Sequence, residues 1–227
     1  MKRLHTELRR LRAVGSLVRF VNYGSPCKHG IMGRLDDRER VEVLSASAWR
    51  EWLLKNHTRS EGVWVVTLKK GASGYVPKMQ LVAEALCFGW IDSVPRKLDA
   101  RRTMVYYSPR KVGSGWSRVN KRLIDELRAS NRLHPSGRAK IEAAKRDGSW
   151  DKLESIDNLQ IPDDLMKALD ASSPAKRNFQ AFPPSVRRGI LEWIGAAKRS
   201  DTRARRIAET ARLAADNVRA NQWPRNP

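Results

Sequence analysis

The chain has 227 residues, of which 45 are Lys or Arg and 24 are Asp or Glu, so its formal net charge at pH 7 is +21. Hydrophobic residues make up 41% of it and include eight tryptophans, enough for a buried core, which excludes a disordered chain. No apolar run approaches the roughly 18 residues of a membrane-spanning helix. The charge favours a nucleic acid, an anionic membrane surface or another acidic partner, although a basic surface without any specific ligand would have the same charge.

Residues 1–42 differ from the rest of the chain. One side of a helical wheel, surrounded by arginines, carries the apolar residues Leu4, Leu8, Leu11 and Val18. This pattern is typical of a basic amphipathic helix on an anionic membrane and also of a transit peptide. With Met32 as an alternative start, the segment would be an upstream extension. We expect a basic, flexible extension over 1–42, because a short arginine-rich segment buries too little apolar surface to become ordered.

An α+β core is predicted over 43–133. A serine at 45 or 47 caps a helix that contains Trp49 and Trp52. The pattern then predicts a strand over 63–69, a helix over 78–88 stopped by Gly89, strands over 90–93 and 103–107 with a charged connection over 95–102, and a helix towards residue 133. The fold class is therefore α+β, with a small antiparallel sheet and flanking helices.

The last third of the chain, 134–227, is predicted to be helical and packed on the core. Helix boundaries are marked by proline, glycine and serine at His134-Pro135, Gly148, Ser173-Pro174, Pro183-Pro184 and Ser200. The final helix is rich in arginine, but Glu209 and Asp216 each follow an arginine by four residues. That spacing favours a solvated face with alternating charges over a DNA-recognition helix, and we name no residue that reads base edges.

The most unusual segment is Ala85-Leu86-Cys87-Phe88-Gly89-Trp90-Ile91-Asp92-Ser93, followed by Ser108-Pro109-Arg110-Lys111, by Gly115-Trp116-Ser117 and by Asn120. These blocks resemble those of the YdeI/OmpD-associated family, also called the bacteriocin-protection family. The resemblance extends from about Trp49 to about Trp223. It implies a link to the outer membrane and to protection from bacteriocins, antimicrobial peptides or envelope stress, but it implies no chemistry.

The same blocks supply the candidate ligand site, which consists of Trp90, Asp92, Arg110, Lys111, Trp116, Ser117 and Asn120. Two basic side chains beside an indole ring are suited to a small anion or phosphate, and the free amides at a helix start add donors. Aromatic and basic residues also suit single-stranded nucleic acid. A structural explanation is that Asp92 pairs with Arg110 across neighbouring strands.

Motifs for catalysis and for metal binding are missing from the sequence. The four histidines, His5, His29, His57 and His134, have no metal-ligand spacing, and there is neither a phosphate-binding loop nor a nucleophile elbow. We expect no catalytic residue, no metal and no cofactor. Cys27 and Cys87 are too far apart in the sequence to suggest a disulfide framework, which favours a reducing cytoplasm.

Two hypotheses for function follow. The first is a non-catalytic cytoplasmic protein of the YdeI/OmpD-associated family that binds a small anionic ligand. The alternative is a nucleic-acid-binding module that uses the positive field without sequence specificity. The sequence leaves the oligomeric state open.

Overall fold

The structure is a computed structural model that describes residues 18–20 and 33–221. Its contacts divide these residues into two compact units. The first unit contains 18–20, 33–114 and 119–148, and the second contains 115–118 and 149–221. The amphipathic helix predicted near the amino terminus lies outside the described residues, except that Val18 belongs to a strand. Where the domain boundaries lie stays a prediction.

The first unit is built on a five-stranded sheet with the order β1-β2-β3-β5-β4. Its strands are β1 (Val18–Phe20), β2 (Arg40–Val43), β3 (Val63–Leu68), β4 (Trp90–Lys97) and β5 (Arg102–Pro109). Strands β2 and β3 are parallel, whereas the other neighbours are antiparallel. The α+β fold class is confirmed, but the sheet is mixed and not all antiparallel. The parallel pair arises because a helix connects β2 to β3, and such a crossover returns the chain in the same direction.

Among the residues that the structure describes, five helices accompany this sheet: α1 (Gly33–Asp36), α2 (Ala46–Asn56), α3 (Lys78–Cys87), α4 (Arg118–Ala129) and α5 (Pro135–Arg146). The Ser45 hydroxyl caps α2 by accepting a hydrogen bond of 3.1 Å from the amide of Ala48. Helix α3 ends before Gly89, whose φ of +78° lies in the left-handed region that favours glycine. These two predicted signals are confirmed.

An aromatic cluster holds the sheet of the first unit to α2. The ring of Trp49 stacks on Trp52 at 5.0 Å and contacts the edge of Tyr107 at 5.4 Å, and Trp52 meets Trp90 at 5.7 Å. All four rings are buried. The indole N–H groups of Trp49 and Trp90 donate to the carbonyl oxygens of Leu81 and His57. The cluster therefore combines apolar burial with directional hydrogen bonds.

Strand β4 is longer than predicted. The sequence pattern treats 95–102 as a connection, but Pro95, Arg96 and Lys97 pair with β5. The prediction is wrong because proline is compatible with an edge strand, where its missing N–H faces solvent, and β4 is the last strand of the sheet. A register shift between Asp92 and Pro95 accompanies this proline. Both the proline and the register shift make the exposed edge of the sheet less able to pair with a strand of another molecule.

The second unit is helical. Its helices are α6 (Glu154–Asp157), α7 (Asp163–Asp170), α8 (Ser173–Ala181), α9 (Pro184–Gly195) and α10 (Ser200–Ala215). The predicted starts at Ser173-Pro174 and Pro184 are confirmed. Its core contains fully buried residues such as Leu165, Phe179 and Ile190. Among the residues that the structure describes, no helix is both long and apolar enough to cross a membrane.

We expect Gly137→Ala to destabilise the first unit by about 3 kcal/mol, because overpacking in a closed contact costs about this much. A Cβ atom at Gly137, in α5, would lie 2.2 Å from the carbonyl oxygen of Cys87. Gly189→Ala, in α9, is the matched control, because nothing lies within 4 Å of its Cβ position. Alanine there should stabilise by about 0.5–1 kcal/mol. Urea unfolding followed by tryptophan fluorescence measures both changes, and an unchanged Gly137→Ala midpoint would contradict the close approach.

Candidate functional site

The candidate site from the sequence is divided between the two units. Trp90, Asp92, Arg110, Lys111 and Asn120 lie in the first unit, whereas Trp116 and Ser117 lie in the second. Both indole rings are buried: Trp90 is 0% and Trp116 is 2% exposed. Trp90 packs in the aromatic cluster, and Trp116 contacts Trp150 at 5.1 Å. These rings therefore present no open face for stacking, and the site stays a prediction.

Asp92 lies on β4, and Arg110 directly follows the end of the neighbouring strand β5. The Asp92 carboxylate forms an ion pair of 2.7 Å with Lys78. Burial lowers the pKa of the Arg110 guanidinium to about 10, and the charge of Asp92 opposes this shift. Burial also raises the pKa of Tyr107, with a smaller contribution from Asp92. Arg110 therefore belongs to a buried polar group and not to an open anion site.

The remaining predicted residues lie nearer the surface. Lys111 is exposed just after β5. Ser117 and Asn120 are partly exposed, and both take part in interactions within the protein. Of the two basic residues in the candidate site, only Lys111 is thus open to a ligand in solution.

A second candidate site, which the sequence analysis missed, lies between α4 and α5 in the first unit. This interhelical cleft has a volume of about 470 Å³ and is lined by Arg128, Asn131, Leu133, Arg138, Ile141, Glu142 and Lys145. Three of these side chains carry a positive charge and one carries a negative charge. The sequence signal was the spacing of Arg138, Ile141, Glu142 and Lys145, which places them along one helix face.

The floor and one wall of the interhelical cleft are fixed by short-range contacts. Leu133 and Ile141 are buried and form an apolar floor. The guanidinium of Arg138 donates a hydrogen bond of 2.7 Å to the carbonyl oxygen of Leu133, which holds this cation at the cleft. Lys145 lies 3.7 Å from Glu142. An arginine fixed in this way is suited to bind a carboxylate or phosphate, because its planar fork retains further N–H donors.

A buried carboxylate holds the turn that leads into the cleft. Glu84, in α3, is 4% exposed, and its carboxylate binds Arg50 at 2.9 Å and also binds Arg132. Arg50 donates a second hydrogen bond of 3.2 Å to the carbonyl oxygen of Arg132. Both the side chain and the backbone of Arg132 are therefore fixed, next to the cleft residues Asn131 and Leu133.

Helix α5 begins at a histidine cap. The Nδ1 atom of His134 accepts a hydrogen bond of 3.3 Å from the amide of Ser136. The His134 ring also packs against His57 at 4.6 Å and Phe88 at 4.8 Å. Burial lowers the pKa of His134, and the positive field of His57, Arg138 and Arg50 lowers it further. Neutral His134, which can accept the capping hydrogen bond, is thereby favoured.

Cys87 lies at the end of α3, within the described part of the chain. The Cys87 thiol is buried, and burial raises its pKa, so it stays in the unreactive thiol form. Within the described ranges, 18–20 and 33–221, no group of three or more His, Cys, Asp or Glu residues has the arrangement to hold a metal ion. What the cleft does offer is an array of fixed and exposed cations around an apolar floor.

Two arginines of α10 are bound within the second unit. Arg203, in α10, binds both oxygens of Asp164 at 2.7 and 2.9 Å and lowers the pKa of that carboxyl. Arg206 stacks on the ring of Trp193 at 4.9 Å. These contacts differ from the i to i+4 pairs expected from the sequence. They nevertheless support the same conclusion, because an arginine bound to a carboxylate is less available to phosphates.

Comparisons with known proteins match two separate parts of the chain. Residues 158–217 match the model of the family described as "Bacteriocin-protection, YdeI or OmpD-Associated". Residues 41–140 match a family described as a "Domain of unknown function (DUF8412)". Four of the seven residues that line the interhelical cleft lie within 41–140, and the other three follow this segment. No curated protein and no solved structure gives a match.

We expect His134→Asn to reduce the loss of stability on acidification. Because the folded state lowers the pKa of His134 below 6.5, the folded chain binds fewer protons there than the unfolded chain. This contribution to stability is complete above about pH 6.5 and is lost as pH falls towards the lowered pKa. Asparagine keeps a capping oxygen but does not titrate. Urea midpoints of both proteins at pH 7.5 and pH 5 test this, and an equal decrease in both would contradict it.

Proposed function

We propose that this chain, whose residues 158–217 match the model of the YdeI/OmpD-associated, bacteriocin-protection family, is a non-catalytic protein that binds a small organic anion. The anion binds in the interhelical cleft of the first unit. The observation that carries the proposal is the array of Arg128, Arg138 and Lys145 around one cleft. We also propose a cytoplasmic location, which the sparse use of cysteine supports.

Charge and size define the ligand. The net charge of +21 attracts anions and repels cationic peptides. A direct capture of cationic antimicrobial peptides at the cleft is therefore disfavoured, and we propose that any protection depends on an anionic metabolite. The volume of about 470 Å³ is in the range of sites for organic ligands and exceeds the size of an inorganic ion.

We expect Arg128→Ala/Lys145→Ala to weaken anion binding by about tenfold or more, because the ligand loses two charge-assisted contacts. The measurement is isothermal titration calorimetry at low salt with 3-phenylpropionate as the probe. Each substitution removes an exposed side chain, one from each helix, so the fold should be unaffected.

Arg122→Ala/Arg146→Ala is the matched control. It also removes one exposed cation from each of the two helices, but neither residue lines the cleft. Its affinity should stay within about twofold of the wild type, because only the long-range field changes. Lys111→Ala tests the position predicted from the sequence. Equal losses in the cleft and control variants, or a loss only in Lys111→Ala, would contradict the cleft as the site.

Nucleic-acid binding is the second candidate function. The observation that favours it is the basic character of α4 and α5, which includes Lys121, Arg122, Lys140 and Arg146 outside the cleft. Backbone phosphates would bind such a surface with a strong dependence on salt.

We expect only weak oligonucleotide binding, and we expect it to disappear by about 0.2 M salt, because diffuse phosphate contacts are lost as counterions compete. Fluorescence anisotropy with single-stranded and double-stranded oligonucleotides across a salt series measures this. If the phosphate contacts are diffuse, Arg128→Ala/Lys145→Ala and Arg122→Ala/Arg146→Ala should weaken oligonucleotide binding equally. Tight binding that persists at physiological salt and distinguishes the two strand forms would favour the nucleic-acid function instead.

A further inference from the structure

The interhelical cleft contains a carboxylate that a site for simple anions does not need. Among the described residues that line the cleft, Glu142 is the single acid. Its side chain is 56% exposed, and its ion pair with Lys145 is long, at 3.7 Å. A pair of this length and exposure is weak, so the carboxylate remains available to a ligand. It also repels an anion that has no compensating positive charge.

Arg138 and Glu142 are opposite charges one helical turn apart, a spacing at which such side chains commonly pair. In the described part of the chain, the side chains of Arg138 and Glu142 form no ion pair with each other. Arg138 donates instead to the carbonyl oxygen of Leu133, and Glu142 lies beside Lys145. The cleft thus presents a fixed cation and an exposed carboxylate on residues whose Cα atoms are about 6 Å apart along the helix axis.

We propose that the cleft selects amphoteric organic acids, which carry an ammonium or another cationic N–H donor in addition to their acidic group. The acidic group binds Arg138 and Arg128, and the cationic group binds Glu142. This inference rests on the proposed function, and it assigns Glu142 as the residue that determines specificity.

Two probes with the same carbon skeleton test this inference. Phenylalanine and 3-phenylpropionate differ by the ammonium group alone, and calorimetry measures both with the full chain. We expect the wild type to bind phenylalanine about two- to fivefold more tightly, the range for a partly exposed ion pair. Glu142→Gln should lose this preference and should bind 3-phenylpropionate more tightly than the wild type does, because a repulsive charge is removed.

Glu126→Gln is the control. Glu126, on α4, forms a pair with Arg122 that is also 3.7 Å long, but it does not line the cleft. The control should retain the preference for phenylalanine. The inference is overturned if the wild type binds 3-phenylpropionate as tightly as phenylalanine, or if both glutamine variants change the preference equally. If neither probe binds, or if binding survives Arg128→Ala/Lys145→Ala, the proposed function itself fails and the inference fails with it.

Discussion

The buried carboxylate of Glu84 is the constraint on which the geometry of the first unit depends. An ionised group at 4% exposure is costly unless cations and hydrogen bonds compensate it. Arg50 comes from α2 and Arg132 from the turn before α5, so the carboxylate links three segments that are distant in sequence. Fixing Arg132 also fixes the neighbouring Leu133, whose carbonyl oxygen binds the arginine at the centre of the cleft. An electrostatic requirement of the core thereby shapes the proposed ligand site.

Local signals in the sequence predicted the helices well, for a physical reason. Ser45, Gly89 and Pro174 act through hydrogen bonds and backbone angles within one turn of their own position, so nothing distant can override them. The extent of β4, in contrast, does not follow from local signals. Pro95 and the charged residues after it resemble a loop, and only pairing with β5 at the sheet edge makes them a strand. Similarly, the parallel pairing of β2 with β3 depends on a connection that periodicity alone does not specify.

The site was harder to predict than the fold. Tryptophan and arginine in one segment resemble a ligand site in the sequence, but burial decides whether such groups reach solvent. Here Trp90 and Arg110 are both buried. The interhelical cleft is missed for the opposite reason. Its charged residues are exposed, but in the sequence they resemble an ordinary solvated helix face. Only their arrangement on α4, on α5 and on the turn between these helices makes a concave site of them.

The absence of a side chain at Gly137 has a consequence for the divergence of related proteins. Helix α5 meets the Cys87 carbonyl oxygen through its backbone at this residue, so this contact does not involve the side chains of Arg128, Glu142 or Lys145. A substitution at any of these three positions leaves this contact in place. We therefore expect homologous chains that keep a glycine here to keep this helix packing even where residues of the proposed ligand site differ.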